Sequence, residues 1–305
     1  MKSMRGSLIL LLVACLWGST ITIQGMAGGT VDVFTFQMLR GFLGALTLTP
    51  VVLCGLWRKK RRPDYVKPTA EERRSLWIGG MCCGLALAAA AGVQYLGISM
   101  TSSGSVGFVA AMYILFVPLL GLFFGRRVTG RVWCSVGIAL VALYLMAVKD
   151  GFSVSAGDLI VLASALLYAV HILCVNHFSP RADGVQLGFV QSLTVGVVYA
   201  LLVPFFGTTS FAAVREMWFP IVFAGVLSNG ICFTLQIIGQ KFTPPTTASL
   251  IMSTESVFAL LSAMVLTGTI PTLREGIGCA LMLFAVLLSK LPIGRLDAHR
   301  AARRP

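Results

Sequence analysis

Long apolar runs separated by short polar segments fill the chain from residue 7 to residue 290. A helix needs ~20 residues to cross a hydrocarbon layer ~30 Å thick, and each run is close to that length. There are ten runs, which occupy residues 7–27, 32–56, 75–97, 103–124, 131–148, 157–178, 186–206, 218–239, 247–267 and 273–290. The pattern therefore predicts an all-α integral membrane protein with ten transmembrane helices.

The connections between the runs are short and contain glycine, proline or charged residues. Examples are Gly28-Gly29, the basic run RKKRRP at 58–63 and the segment from Lys149 to Gly151. Connections of this length join neighbouring helices of one bundle and leave no room for a soluble domain. The composition agrees, because 57% of the residues are hydrophobic and only 11% are charged, with a mean hydropathy of +0.88.

The basic residues are distributed unevenly between the two sides of the predicted bundle. Of the 24 lysines and arginines, 20 lie at the N-terminus, in alternate connections or in the tail from Lys290, and three lie on the opposite side. Lysine and arginine favour the cytoplasmic side, so both termini are predicted to be cytoplasmic in a multi-pass protein of the cytoplasmic (inner) membrane. The net charge of +13 is thereby explained without a nucleic-acid partner. Binding of the run 58–62 to anionic lipid is a secondary alternative.

The N-terminus permits two interpretations. Lys2 and Arg5 precede an apolar stretch that ends in LVAC at Cys15, which is typical of a lipoprotein signal. The apolar run continues past Cys15 through LWGSTITIQGMA, so a retained first helix is predicted and cleavage is the lesser alternative.

The cysteines give no sign of a disulfide framework or a metal site. All eight fall inside or at the ends of apolar runs, without a CxxC pair or a histidine at metal-ligand spacing. We therefore predict no metal, no cofactor and small packed cysteine side chains. They are Cys15, Cys54, Cys82, Cys83, Cys134, Cys174, Cys232 and Cys279.

The two halves of the chain repeat each other. At an offset of 151 residues, LWG at 16–18 aligns with LYA at 167–169, and at an offset of 143, Gly125 aligns with Gly268. Five helices per repeat is an odd number, so the second copy enters the membrane from the other side. Such inverted repeats are typical of carriers with a solute site near the midplane, in a central cavity between the halves. The predicted divisions are a first repeat at 1–148, a second repeat at 149–290 and a basic cytoplasmic tail at 291–305.

Four segments resemble the EamA-type family of the drug/metabolite transporter superfamily. They are WGST at 17–20, MLRG at 38–41, GDL at 157–159 and TLQIIGQKFTPPTTASLIMSTESVF at 234–258. The resemblance implies ten helices in two inverted five-helix repeats around a central cavity, with both termini inside. It also implies export of amino acids, related metabolites or drugs, with proton coupling in some members. One departure is Met112-Tyr113 in the first repeat where the second has Glu255-Ser256.

Glu255 is the first candidate for a substrate-binding or coupling residue. Counted from Thr247 at ~1.5 Å per residue, it lies ~12 Å inside the ninth predicted helix, near mid-membrane. An ionised carboxylate there costs roughly 2.5 kcal/mol or more, so it needs a cavity, a partner or a proton. The functional interpretation is a protonatable group or a counter-charge for an amine. The alternative is a structural acid that is neutral or hydrogen-bonded between helices.

Two other ionisable side chains lie inside predicted spans. Arg40, about eight residues into the second helix, could bind a substrate carboxylate or pair with Glu255, or it could tie helices together or extend towards the outer surface. The second interpretation is favoured, because LRG at 39–41 aligns with VQS at 190–192 and so places a glutamine opposite Arg40. His171 could take part in a proton path, although a neutral, hydrogen-bonded histidine is the simpler interpretation.

Seven further side chains in the spans could line a cavity that hydrogen-bonds a small solute, although each type more often packs between helices. Trp17 and Tyr168 gain weight because they occupy equivalent positions in the two repeats. The set is Trp17, Gln94, Tyr95, Tyr113, Tyr168, Asn229 and Gln236.

The sequence thus predicts a secondary transporter that exports small metabolites by alternating access, with the lipid bilayer and a small solute as partners. Drug efflux and uncoupled facilitated transport are alternatives. An intramembrane enzyme is disfavoured, because no HExxH motif and no serine nucleophile set between glycines is present. A non-transporting receptor is also disfavoured, since no sizeable extramembrane surface is predicted. The oligomeric state, monomer or homodimer, is left open.

Overall fold

The described part of each predicted apolar run is mainly helical in the computed structural model, which describes residues 2–25, 30–98, 100, 103–147, 155–268 and 270–291. Inside a bilayer, helices satisfy every backbone polar group within the segment itself, which explains why apolar runs adopt them. The elements are α1 (Lys2–Gly25), α2 (Val33–Lys60), α3 (Ala70–Ile98), α4 (Ser103–Ala110), α5 (Tyr113–Phe123), α6 (Gly130–Ala147), α7 (Ala156–Phe178), α8 (Gly184–Phe206), α9 (Phe211–Glu216), α10 (Trp218–Phe223), a π-helical segment (Ala224–Cys232), α11 (Phe233–Gln240), α12 (Pro245–Met252), α13 (Glu255–Thr267) and α14 (Leu273–Lys290).

Seven stretches in the described part of the chain are long and apolar enough to cross a membrane. They are Val33–Lys60, Ala70–Ile98, Val106–Phe123, Gly130–Ala147, Ala156–Phe178, Gly184–Phe206 and Trp218–Gln240. These coincide with the second to eighth predicted spans. The first, ninth and tenth stay predictions. The described apolar part of α1 is the shorter Met4–Ser19, and α14 carries three charged residues.

Several features predicted from the sequence lie outside the described residues. They are the Gly28-Gly29 connection, the segment from Lys149 to Gly151 and the tail beyond residue 291.

Two aspartates fix the starts of α2 and α8. Asp32 caps α2 by accepting hydrogen bonds from the backbone N–H groups of Phe34 and Thr35, and Asp183 caps α8 in the same way. Such caps satisfy N–H groups that a helix start would otherwise leave without partners. Asp32 and Asp183 are separated by 151 positions, the offset at which the two halves align.

The fourth and ninth predicted spans are each broken near the middle, where continuous helices were expected. The first break, at Ala111-Met112, separates α4 from α5, and the second, at Ser253-Thr254, separates α12 from α13. Around both breaks some backbone hydrogen bonds span three residues instead of four, as from the Ile114 N–H to the Ala111 carbonyl at 3.1 Å. Each broken span therefore consists of two half-helices.

Hydroxyl groups account for part of the second break. Ser253 Oγ donates to the Ser249 carbonyl at 2.9 Å, and Thr254 Oγ1 donates to the Ile251 carbonyl at 2.6 Å. Serine and threonine side chains that bond to the preceding turn bend or interrupt helices, and membrane helices tolerate such interruptions inside a bundle. The prediction of one continuous helix over 247–267 was wrong for this reason.

The eighth predicted span also departs from a regular α-helix. Its central part, Ala224–Cys232, is π-helical and lies between α10 and α11. π-helical turns are rare and often occur at functional sites. This one packs against α2.

The helices pack in pairs that cross between the two halves. The main pairs are α2 with α8, α3 with α7, α6 with α14, and α1 with both α11 and α13. At the α2–α8 contact, a Cβ atom added to Gly41 would lie 2.3 Å from the Gly196 nitrogen, so only glycine allows this approach. The pairing brings residues of both halves together in the interior.

Polar residues are buried in the interior while large apolar side chains cover the outside. Arg40 is 7% exposed and His171 is 0% exposed, whereas Phe123 is 86% and Phe205 is 79% exposed. This distribution suits a bundle surrounded by lipid. The fold therefore agrees with a multi-pass membrane protein.

Candidate functional site

The two helix breaks meet inside the bundle. Tyr113, the first residue of α5, is 8% exposed, and Glu255 is the partly buried first residue of α13. The Tyr113 hydroxyl donates a hydrogen bond to the Glu255 carboxylate, and Ser253 Oγ, which donates its proton to the Ser249 carbonyl, lies 3.2 Å from Tyr113 Oη. The half-helix starts of the two halves are therefore joined through one carboxylate and two hydroxyls.

Helix α1 lies directly against the second break. A Cβ atom added to Gly18 would lie 2.5 Å from the Glu255 carbonyl oxygen and 2.7 Å from the Ala259 nitrogen. The glycine thus allows the α1 backbone to touch the first turn of α13.

Phe233, the first residue of α11, contacts two aromatic side chains and one arginine from three other helices. Trp17 of α1 packs edge-on against it at a ring-centroid distance of 4.9 Å. His171 of α7 does so at 5.7 Å, and the Arg40 guanidinium of α2 lies 5.8 Å from the ring centroid. Three of the predicted candidates therefore share one partner that carries no polar group.

Arg40 is held only by neutral groups among the described residues. Its Nη2 atom donates to Ser228 Oγ of the π-helical segment at 3.0 Å, and Nη1 donates to Gln37 Oε1 at 3.4 Å. The structure does not pair Arg40 with Glu255, since the ion pair in the described part of the chain joins Lys59 to Asp183. The side chain ties α2 to the π-helical segment, and its low exposure shows that it does not reach the outer surface.

Tyr168 is a buried tyrosine that interacts with other candidates. Its hydroxyl donates to Gln94 Oε1 at 3.0 Å, and the phenol is within electrostatic range of both Arg40 and Glu255. The structure therefore joins two separately predicted candidates, Tyr168 and Gln94, by a hydrogen bond.

Three further candidates are buried among polar neighbours. Nε2 of His171 lies 3.0 Å from Oε1 of Gln191, the residue aligned with Arg40 in the repeat. Asn229 Nδ2 and Gln236 Oε1 are buried without a hydrogen-bond partner among the described residues. Buried polar atoms of this kind are uncommon in proteins and mark places where a ligand or water can bind.

Tyr95 does not join this group. Its hydroxyl donates to the Val31 carbonyl at 2.8 Å, and its ring stacks on Phe36 at a centroid distance of 5.2 Å. Tyr95 thus packs near the start of α2, away from the junction of the two breaks.

Three residues of the site were not among the sequence candidates. Phe233 has no polar atom and so gave no signal, whereas Gln37 is a polar residue inside the second predicted span and carried the same signal as Gln94 and Gln236. Ser228 lies beside the candidate Asn229, but only the structure brings it to Arg40. The π-helical backbone that positions Ser228 has no evident signature in the sequence.

The arrangement joins a carboxylate, tyrosine hydroxyls and unpartnered amide groups in the interior of the bundle. A carboxylate hydrogen-bonded by one tyrosine can exchange a proton when water reaches it. Among the described residues, histidine, cysteine, aspartate and glutamate form no cluster that could hold a metal ion. Two surface clefts, of about 470 and 160 Å³, are lined by Trp57 and its neighbours and by Tyr199 and its neighbours, and neither is lined by Glu255 or Arg40.

Comparison with known proteins gives a consistent result over nearly the whole chain. A model of the EamA-like transporter family matches residues 4–148 and again residues 155–291. A protein of Archaeoglobus fulgidus named an uncharacterized transporter is 27% identical over 300 residues, covering 96% of this chain and 88% of the relative. A second protein of the same organism and name is 25% identical over 284 residues, covering 93% and 96%.

A solved crystal structure shares the fold. It superposes with a TM-score of 0.73 at 22% identity and covers 97% of this chain and 98% of its own. At that identity the likeness concerns the fold alone.

Proposed function

Because the chain belongs to the EamA-like transporter family, we propose that this membrane transporter is a secondary carrier that exports small polar metabolites. Amino acids and related compounds are the expected class. Transport proceeds by alternating access and is coupled to protons through Glu255, and no catalytic step is involved. The protein lies in the cytoplasmic membrane with both termini inside.

The observation that carries the proposal is the Glu255 carboxylate at the junction of the two helix breaks. A charge in mid-membrane costs roughly 2.5–3.5 kcal/mol, and binding a proton removes that cost. The hydrogen bond from Tyr113 of the other half ties the protonation state of Glu255 to the contact between the halves. A change of protonation can therefore favour one arrangement of the halves over the other.

Alternating access requires two halves that can rock against each other, and the inverted repeat is proposed to supply them. It is supported by the family model, which matches the chain twice. It is also supported by Gly125 and Gly268, which follow the two broken spans with φ angles of 70° and 68° and are separated by the offset of 143. Positive φ is a conformation that favours glycine, so the same turn occurs in both halves.

The experiment is a transport assay in proteoliposomes that contain the purified protein. Vesicles with an imposed pH gradient are offered radiolabelled amino acids, nucleosides, amines and cationic drugs, and accumulation is compared with protein-free vesicles and with vesicles treated with a protonophore. The proposal predicts that at least one polar metabolite accumulates above its equilibrium level, and that the protonophore abolishes this accumulation.

The other outcomes contradict particular parts of the proposal. Equilibration without accumulation would indicate an uncoupled facilitator, and movement of cationic drugs alone would indicate drug efflux. If no solute moves faster than in protein-free vesicles, the proposed function is wrong.

A further inference from the structure

The Arg40 guanidinium is a buried positive charge without a negative partner in the described part of the chain. It is 7% exposed, and its two hydrogen-bonded partners, Ser228 and Gln37, are neutral. Its Nε–H has no acceptor among the described residues. Arginine stays protonated even when buried, so the charge cannot be removed by losing a proton.

Neither Phe233 nor Glu255 neutralises the charge of Arg40. The ring of Phe233 attracts the guanidinium at 5.8 Å, but a cation–π contact is worth only ~0.5–2 kcal/mol. Glu255 is hydrogen-bonded to Tyr113, and it forms no ion pair with Arg40. An uncompensated buried charge is expensive, so an anionic ligand at this place would be bound strongly.

A second hydrogen-bond donor lies on the same interface. Asn229 follows Ser228 in the π-helical segment, and its Nδ2 atom, in a residue 2% exposed, has no partner among the described residues. Nδ2 lies 2.5 Å from where a Cβ atom of Gly44 would be, one helical turn after Arg40 on α2. Two unpartnered donors, Arg40 Nε and Asn229 Nδ2, thus lie along the contact between α2 and the π-helical segment.

We propose that Arg40 is the carboxylate-binding residue of the solute site, with Asn229 as a second donor. A carboxylate supplies two acceptor oxygens for these donors and one negative charge for one guanidinium. A phosphate ester would bring up to two negative charges, and no second cation contacts Arg40 among the described residues. The solutes of this carrier therefore carry a single carboxylate.

This inference rests on the proposed function, because Arg40 becomes accessible only when the halves move apart. The competing role is structural, in which Arg40 merely ties α2 to the π-helical segment through Ser228. The two roles make different predictions, since a structural tie does not distinguish between solutes.

The test compares acids with their amides on the purified full-length protein in detergent. Dissociation constants are measured by thermal shift for a panel of L-amino acids and for the corresponding amino-acid amides, which keep the side chain and amino group but lose the carboxylate charge. Inorganic phosphate and glycerol phosphate are included as anions of higher charge. For the wild type we expect at least one acid to bind about ten-fold or more tightly than its amide, because hydrogen bonds to charged groups are the stronger ones.

Four variants separate the two roles. Arg40→Gln should lose the preference for the acid, and Arg40→Lys should keep part of it because the charge remains. Ser228→Ala removes the hydrogen bond to Arg40 but leaves the positive charge, so it should keep the preference for the acid over the amide. Arg215→Gln, in the exposed helix α9, is the control and should also keep this preference.

The inference is overturned if acid and amide bind the wild type equally, if the phosphates bind more tightly than the acids, if no acid binds, or if Arg40→Gln keeps the preference. If Arg40→Gln fails to fold, the wild-type comparison and Arg40→Lys decide. A carrier that accumulates solutes without preferring acids would refute this inference alone, and Arg40-dependent binding without flux would refute the proposed function alone.

Discussion

The two halves of the molecule break a helix at equivalent places but have different side chains there. At the offset of 143, the break at Ala111-Met112 lies one position from the break at Ser253-Thr254. Met112 of the first half aligns with Glu255 of the second, and Tyr113 aligns with Ser256. Both halves therefore share the same backbone feature, while the acid belongs to one half and the tyrosine that binds it belongs to the other.

The two halves thus share a backbone feature, the broken helix, but not the ionisable side chain beside it. A broken helix present in both halves is a property of the architecture, since it occurs with and without an acid. The carboxylate occurs once, so any proton that the carrier moves has a single site among the two breaks. The contact between the halves at Glu255 depends on Tyr113, and the aligned residue of the second half is Ser256.

The largest effect on stability is expected where α1 touches the second break. Gly18 corresponds, at the offset of 151, to Ala169 of α7, which is 0% exposed. The second half thus accommodates an alanine where the first requires glycine, because a Cβ on Gly18 would lie 2.5 Å from the Glu255 carbonyl. Gly18→Ala should destabilise the protein by about 2 kcal/mol, measured by thermal unfolding in detergent.

The control for this variant is Gly137→Ala in α6, where no atom lies within 4 Å of an added Cβ. That change should be neutral or slightly stabilising. Equal stability of the two variants would show that the close approach of α1 to the Glu255 break is not needed.

The contact between the halves is tested by removing one hydroxyl. Tyr113→Phe deletes the hydrogen bond to Glu255, a neutral donor to a charged acceptor worth ~1.5–3 kcal/mol. We expect proton-driven accumulation in proteoliposomes to fall about ten-fold, while Tyr144→Phe, on an exposed side chain of α6, leaves it unchanged. Full accumulation by Tyr113→Phe would mean that the two breaks work independently.

The halves also differ at the two aspartate caps, which both connect α2 to α8. Asp32 accepts hydrogen bonds from the N–H groups of Thr208 at 3.1 Å and Thr209 at 2.9 Å. Burial raises the pKa of Asp32, but hydrogen bonds from Thr209, Thr35 and Thr208 outweigh it and lower the pKa from 3.8 to about 2. Asp32→Asn should cost about 1 kcal/mol of unfolding free energy at neutral pH.

The pH dependence of this cost follows from the sign of the shift. Because the folded pKa lies below the unfolded one, the stabilisation is present above pH 3.8 and is lost as the pH falls through about 2. Thermal unfolding of wild type and Asp32→Asn between pH 7 and pH 2 should therefore converge at the acid end. If the stability difference between wild type and Asp32→Asn stays constant between pH 7 and pH 2, the lowered pKa of Asp32 is contradicted.

The smallest effect is expected at the other cap. Asp183 accepts a hydrogen bond from Lys59 Nζ at 2.7 Å, with exposed fractions of 50% for Lys59 and 36% for Asp183. An exposed ion pair contributes ~0.2–1 kcal/mol and is screened by salt. The destabilisation caused by Asp183→Asn should therefore shrink in 1 M salt, whereas that caused by Asp32→Asn should not. If salt changes both destabilisations equally, Asp183 does not act through an exposed ion pair that Asp32 lacks.

The sequence predicts the helices and the candidate acid but not the backbone around them. Apolar runs indicated where most helices begin and end, and mid-membrane depth singled out Glu255 and Arg40, because both signals depend on local composition. The breaks were missed because Ala111-Met112 contains no helix-breaking residue and because Ser253 and Thr254 act through hydroxyl bonds to the preceding turn. Phe233 and Ser228 were missed because their roles depend on contacts between distant helices.

The most direct test of the account measures proton movement and solute exchange in the same Glu255→Gln proteoliposomes. A pH-sensitive dye inside the vesicles reports protons, and radiolabelled counterflow reports exchange of a solute that the wild type transports, with Glu216→Gln as an exposed-acid control. The account predicts that Glu255→Gln keeps counterflow but loses solute-dependent proton movement. Proton movement equal to that of the wild type would contradict the role of Glu255.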